Sequence, residues 1–145
     1  MENVVKVNSI PDGVKVHDLV TDRRSIEMGR VKVNLEDGMH VISVKGLRDG
    51  DVFLFKDRYW RLVQMEEKVL HISLTDSVEG FRIGFAVGNL HMKAMISGKE
   101  LYIPFENPNL PNLLASFNPR IEVTKFIPNV EIPIEGDVVQ FVADH

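Results

Sequence analysis

The 145-residue sequence contains no cysteine. This absence excludes disulfide bonds, iron–sulfur clusters and thiolate zinc sites, because all of them need cysteine sulfur. A transition metal bound by this chain would have to use imidazole, carboxylate, backbone or water ligands, a set that suits nickel, copper(II) or zinc. The chain has only five histidines, so imidazole ligands are scarce.

Long apolar segments are also missing. No run approaches the ~20 apolar residues that a membrane-spanning helix needs. The first residues, Met-Glu-Asn, lack the basic flank and apolar stretch of a signal peptide. The composition, 44% hydrophobic and 26% charged residues, is typical of a globular protein with a core. We therefore expect a soluble cytoplasmic protein with no membrane partner.

Sequence motifs for common catalytic chemistries are absent as well. We find no Gly-x-Ser-x-Gly motif, no glycine-rich phosphate loop, and no His-x-x-x-His or paired-carboxylate motif. We therefore expect that the protein is not an enzyme. The enzymatic alternative is a hydrolase centred on His91, which activity without any added protein component would support.

The charge distribution separates two halves of the chain. The formal net charge is −4; residues 1–73 are balanced, so all of the excess negative charge lies in residues 74–145. An acidic second half disfavours a phosphate backbone as a partner and mildly favours cations. Tyr59 and Trp60 could act as a stacking platform for single-stranded nucleic acid. Because the first half has no net positive charge, we interpret them as part of a β-domain core and predict no nucleic-acid partner.

Short alternating apolar and polar segments fill residues 1–73, and three Asp-Gly turns separate several of them. Asp-Gly supplies the positive φ that tight hairpins need. Strands at this spacing predict an antiparallel β-barrel or sandwich. We assign residues 1–73 to this first domain, with a role in partner docking.

Four polar features of the first domain carry little visible chemistry. His17, His40 and His71 fall at strand-like positions, so we interpret them as structural or exposed residues. The Arg23-Arg24 pair is interpreted as part of a solvated loop, with partner docking as the alternative.

The second half predicts a different architecture. Asp76 and Glu79 have the spacing of a capping box, and Val78, Phe81 and Phe85 follow at helical period up to a Gly-Asn pair at 88–89. A hairpin (strands 92–96 and 100–103), a helix over 108–117 and a strand over 120–127 come next. With a strand over 68–73 leading in, the order is β-α-β-β-α-β, the ferredoxin-like pattern. The predicted fold class is therefore α+β with two small domains, the second covering residues 74–145.

The turn after the predicted helix and the end of the chain hold the candidate ligands. His91 places a lone imidazole directly after the helix end. The tail, residues 129–145, alternates at first and finishes with Asp144 and His145. If extended it spans roughly 55 Å, so His145 could reach His91 of its own chain or of a partner.

Residues 88–91 read Gly-Asn-Leu-His and resemble the Gly-Asn-x-His motif of the urease nickel metallochaperone family, UreE. The hairpin leading to Leu-Tyr-Ile-Pro-Phe at 101–105, the leucine-containing helix and the closing strand are also similar to that family. Three features depart from it. Leu90 stands where the family usually has arginine, Ala86 stands where some members have another histidine, and the long histidine-rich tail of certain members is absent.

The resemblance implies a homodimer that binds Ni²⁺, with Zn²⁺ as an alternative ion, and delivers nickel to the urease apoenzyme together with the urease accessory GTPase UreG. One imidazole cannot hold nickel tightly, because first-row metals use about four to six donors. A two-fold dimer would place His91 against His91 of its twin, and His145 with Asp144 would add donors. The alternative is a dimeric interaction module of the same fold without a metal role.

Overall fold

The computed structural model describes residues 1–130; the tail residues 131–145, including Asp144 and His145, lie outside the described residues. The described chain is a mixed α+β protein that is mostly β-sheet with few helices. It divides into two compact units, one covering Met1–Glu66 and one beginning at Glu67. The strand over 67–73, which the predicted boundary left in the first domain, belongs with the second unit.

The first unit contains two sheets. A three-stranded sheet has the order β1-β5-β4, and a four-stranded sheet has the order β2-β6-β7-β3. Both sheets contribute to one apolar core, in which Ile42, Phe53 and Leu62 are fully buried. The elements are β1 (Glu2–Asn3), β2 (Val5–Val7), β3 (Val16–Thr21), α1 (Arg23–Met28), β4 (Arg30–Leu35), β5 (Gly38–Ser43), β6 (Val52–Phe55) and β7 (Arg58–Gln64).

The predicted antiparallel arrangement of this unit is only partly correct. Neither sheet closes into a barrel among the described residues. Strands β4 and β5 and strands β6 and β7 form the expected antiparallel hairpins, but β1 pairs with β5 in parallel, and β3 pairs with β7 in parallel. Alternation reports which residues are buried and carries no information about strand direction, so the sequence could not distinguish these pairings.

Helix α1 replaces the predicted solvated loop at Arg23-Arg24. The side chain of Asp22 accepts a hydrogen bond from the backbone N–H of Ser25, and Gly29, with φ of 74°, ends the helix in the left-handed conformation. Arg23 is buried and its Nη1 lies 3.0 Å from Oε1 of Glu27. A cap at one end and a glycine at the other therefore define a helix too short for its periodicity to be detected.

The second unit has one four-stranded sheet with the order β11-β8-β10-β9, in which every neighbouring pair is antiparallel. Along the chain the strands and helices follow the predicted β-α-β-β-α-β order. The elements are β8 (Glu67–Ser73), α2 (Ser77–Asn89), β9 (Met95–Ser97), β10 (Glu100–Pro104), α3 (Leu110–Leu113), a 3₁₀ turn (Ala115–Phe117) and β11 (Arg120–Thr124).

The core of the second unit lies between helix α2 and one face of the sheet. Ile83 and Val87 of the helix cluster with apolar strand residues such as Ile72 and Ile103. Burying each such side chain stabilises the fold by about 1.5–3 kcal/mol. Helix α2 is thus fixed on the sheet, which positions the turn that follows it. Among the described residues, no helix is both long and apolar enough to cross a bilayer.

Candidate functional site

Helix α2 begins at the predicted cap. The side chain of Asp76 accepts a hydrogen bond from the backbone N–H of Glu79 at 2.8 Å, and the carbonyl oxygen of Asp76 accepts one from Gly80 at 2.9 Å. Capping of this kind satisfies backbone donors that have no partner within the helix. The helix then runs to Asn89, so the predicted Gly-Asn end is also the observed end.

The turn after α2 holds His91 in a conformation that few side chains adopt. Its φ is 54°, in the left-handed region. The backbone N–H of His91 donates to the carbonyl oxygen of Gly88 at 3.0 Å, and that of Met92 donates to Val87 at 3.2 Å. These two bonds form the Schellman arrangement that closes a helix, and His91 occupies the position normally taken by glycine.

Placing histidine at this position has an energetic cost. The left-handed conformation costs an ordinary L-residue roughly 1–2 kcal/mol, although histidine tolerates it better than most residues. Glycine would close the same helix without that cost. Strained conformations of this kind are found at functional sites, and His91 is one of four non-glycine residues with positive φ among the described residues.

The imidazole of His91 is exposed. Within residues 1–130 there is no group of three or more histidine, aspartate or glutamate side chains that could hold a metal ion. The second predicted ligand, His145, lies outside the described residues. The described part of one chain therefore offers a single imidazole at this turn, and a metal would need further donors from elsewhere.

An apolar surface lies on the outer side of the same helix. Phe81 and Phe85 are 74% and 62% exposed, and their ring centroids are 6.2 Å apart. Val78, on the same side of the helix, is 66% exposed. We call this surface, made of Val78, Phe81 and Phe85, the outer apolar face. Helix α2 is thus apolar both toward its own sheet and toward solvent.

The sequence alone does not show which apolar side of this helix packs on the sheet. The helical period of the sequence rests on Val78, Phe81 and Phe85, whereas the residues that pack on the sheet are Ile83 and Val87. Both stripes follow the helical period, and only one can pack on the chain's own sheet. The presence of a second apolar stripe was the available signal for an exposed face.

His71 lies in a polar cluster on the opposite face of the sheet from α2. Its Nδ1 is 2.8 Å from Oε1 of Glu122 and its Nε2 is 2.7 Å from Oε2 of Glu100. Ser73 donates to Oε2 of Glu100 at 2.7 Å, and Arg120 donates to Ser73 at 2.9 Å. The hydrogen bond from Ser73, followed by that from His71, lowers the pKa of the Glu100 carboxyl. These contacts make His71 a structural bridge between strands.

His40, in the first unit, is also held by two carboxylates. Its Nε2 lies 2.7 Å from Oδ1 of Asp37, and its Nδ1 bonds Glu2. The hydrogen bond with Asp37, and then that with Glu2, raises the pKa of His40. His17 packs against Trp60 with ring centroids 5.1 Å apart. The contact with Glu2 could not be predicted from the sequence, because Glu2 is remote in the chain from His40.

In comparisons with known proteins, no family model matches the chain, and no curated protein is significantly similar to it. The features that this site offers are the left-handed His91, its exposed imidazole and the adjacent outer apolar face.

Proposed function

We propose that this protein is a dimeric metallochaperone of the UreE type, which binds Ni²⁺ as cargo through His91 and delivers it for assembly of the urease active site. The observation that carries the proposal is the left-handed conformation of His91, with an exposed side chain, at the closed end of α2. A turn that glycine would close at lower energy presents an imidazole instead. Zn²⁺ is the alternative ion for the same donors.

A two-fold dimer supplies the donors that one chain lacks. The outer apolar face lies on helix α2, which ends at Asn89, two residues before His91, so pairing two copies of this face would bring two imidazoles toward one axis. Two imidazoles plus water make an open, weak site, which suits a carrier that must release its ion. His145, with Asp144, is the proposed source of further exchangeable donors.

The remaining assignments follow from the same proposal. The strand order β11-β8-β10-β9 and the β-α-β-β-α-β connectivity support a ferredoxin-like fold for the metal-binding and dimerisation unit. We assign partner docking to the β-rich first unit, with the urease apoenzyme and the GTPase UreG as partners in the cytoplasm. The protein itself performs no catalytic step in this scheme.

Calorimetric titration with Ni²⁺, combined with measurement of molar mass in solution, tests the proposal. We expect a dimer that binds one ion per two chains. His91→Gly should abolish this binding while preserving the turn, because glycine adopts the left-handed conformation freely. His17→Gln is the matched control and should bind as the wild type does. A monomer, or wild-type affinity in His91→Gly, would contradict the proposal.

The tail and the delivery step need separate measurements. If His145→Ala alone leaves nickel affinity unchanged, the tail contributes no ligand and the shared His91 site stands. For delivery, the wild-type protein should accelerate nickel-dependent activation of urease apoenzyme in the presence of UreG, and His91→Gly should not.

A second candidate function is a dimeric interaction module without a metal role. The outer apolar face favours it, because an exposed pair of phenylalanines needs a protein partner whether or not a metal is bound. Wild-type protein that fails to bind Ni²⁺ but still binds urease or UreG would support this candidate over the metallochaperone.

A further inference from the structure

A cleft of about 540 Å³ lies in the second unit, at the start of helix α2. It is bounded by the end of strand β8, the first turn of α2 and the 3₁₀ turn that leads into β11. Ligand-binding clefts usually have volumes of about 300–1,000 Å³. The cleft is therefore large enough for a small molecule, and no part of the proposed metal site lines it.

The cleft reaches the apolar core of the second unit. Ile72 and Ile83 line it, and both are almost fully buried. Leu74 and Phe117 also line it; they are partly exposed and pack against the same core. A ligand in the cleft would cover these two side chains, and removing apolar surface from water is favourable. The apolar wall therefore favours a ligand with an aliphatic or aromatic body.

Arg120 lines the polar side of the same cleft. Among the described residues, only its Nη2 has hydrogen-bond partners: it lies 2.9 Å from Oγ of Ser73 and 3.3 Å from both ring nitrogens of His71. Within residues 1–130, no carboxylate lies close enough to Arg120 to form an ion pair. Its remaining N–H groups can therefore bind a ligand, and the planar guanidinium matches the two oxygens of a carboxylate.

The charges around the cleft favour a singly charged anion. Glu79 also lines the cleft, but its Oε1 accepts a hydrogen bond from Nη1 of Arg82 at 2.7 Å. The Arg82 guanidinium lies 5.7 Å from the centroid of the Phe117 ring. Two guanidinium groups and one carboxylate thus surround the cleft. The excess negative charge of residues 74–145 disfavours a multiply charged anion such as phosphate.

We propose that this cleft binds a small monocarboxylate with an apolar body, with the carboxylate on Arg120 and the body against Leu74 and Phe117. The cleft lies at the start of α2, whereas His91 follows its end, and a helix of 13 residues is about 20 Å long. Binding therefore does not use the imidazole of His91, and the proposal does not depend on nickel binding.

Titration of the full chain with hexanoate, without added metal and followed by amide chemical shifts, tests the proposal. We expect saturable shifts at residues 73–75 and 116–118, and none at residues 31–33 in the first unit. Hexanol and hexylammonium carry the same alkyl chain without the carboxylate, and they should bind about tenfold more weakly or worse. The absence of saturable shifts with hexanoate would overturn the proposal. Equally tight binding of hexanol, hexylammonium or inorganic phosphate would also overturn it.

Replacing Arg120 separates the charged anchor from the apolar wall. Arg120→Gln should weaken hexanoate binding by about tenfold or more, because the carboxylate loses its charged donors. The same substitution should leave the weak binding of hexanol unchanged. Arg61→Gln, at an exposed arginine of the first unit, is the matched control and should bind hexanoate as the wild type does. Wild-type affinity for hexanoate in Arg120→Gln would overturn the proposal.

A second pair of variants tests the cleft without removing Arg120, which also bonds Ser73. Ser116→Trp places a large side chain at an exposed lining position, and it should abolish the hexanoate-induced shifts. Ala115→Trp is the matched control, because Ala115 is the exposed neighbour and does not line the cleft. This control should bind hexanoate as the wild type does. Equal hexanoate affinity in the two tryptophan variants would overturn the proposal.

Discussion

The imidazole of His71 lies nearly parallel to the ring of Tyr102, with ring centroids 4.5 Å apart and an angle of 16° between the planes. The same imidazole contacts Glu100 on β10 and Glu122 on β11. His71 therefore connects the central strand β8 to both of its neighbours on the sheet face away from α2. These contacts hold three strands together.

Removing this bridge should destabilise the second unit. For His71→Ala we expect the free energy of unfolding to fall by about 1–3 kcal/mol, because hydrogen bonds to charged groups are lost and two carboxylates remain without their shared partner. Urea denaturation followed by circular dichroism measures this change. Nickel affinity per folded dimer should stay at the wild-type value, and a loss of affinity equal to that of His91→Gly would refute the structural role.

Substitutions at His91 should separate backbone strain from metal binding. His91→Gly should raise the free energy of unfolding by up to about 1 kcal/mol, because glycine carries no left-handed penalty. His91→Val should lower it by about 1 kcal/mol or more, because a β-branched residue is a clear outlier at positive φ. Thermal or urea unfolding of the wild type and both variants checks this order of stability, in which His91→Gly is the most stable and His91→Val the least. The reverse order would mean that the turn is not left-handed at this position.

The outer apolar face should control dimerisation without controlling folding. In Phe81→Ser/Phe85→Ser we expect a monomer by light scattering. The secondary structure should be retained, because both side chains are mostly exposed and exposed positions change stability by about 0.5 kcal/mol or less. The exposed methionine substitution Met28→Ser, in the first unit, is the control and should remain dimeric. A dimer that survives the double substitution would place the interface elsewhere.

The stability contributed by His40 should depend on pH in a defined direction. Its pKa is raised in the folded protein by Asp37 and Glu2, so its contribution is fully present below the unfolded value of about 6.5. The contribution is lost as pH rises through the higher folded pKa. The difference in unfolding free energy between wild type and His40→Gln should therefore shrink as pH increases above about 6.5. A difference that grows with pH would contradict this sign.

Sequence reasoning succeeded where a local signal fixes the structure. Asp76 caps the start of helix α2 as predicted, and the helix ends at the predicted Asn89, although the left-handed residue that closes it is His91 rather than Gly88. The predicted helix over 108–117 is shorter in the structure, with α3 covering Leu110–Leu113 and a 3₁₀ turn after it. Asn118, at φ of 53°, ends that turn.

The candidate site was predictable only in part. The position of His91 after a helix followed from the motif, but the outer apolar face depends on which side of α2 packs on the sheet. That choice is made by tertiary contacts of Ile83 and Val87. The parallel pairing of β3 with β7 could not be predicted for the same reason, because contacts between residues distant in sequence determine it.

The amide side chain of Asn129 covers part of one edge of the sheet in the second unit. By bonding both the N–H and the C=O of Ile96, it occupies backbone groups on the outer edge of β9, the last strand of its sheet. Unoccupied edges of this kind can recruit strands from other molecules and start aggregation. The Asn129 side chain thus blocks pairing of another strand at Ile96. Without it, this edge of β9 could pair with a strand of another molecule, and the protein would self-associate more readily at high concentration.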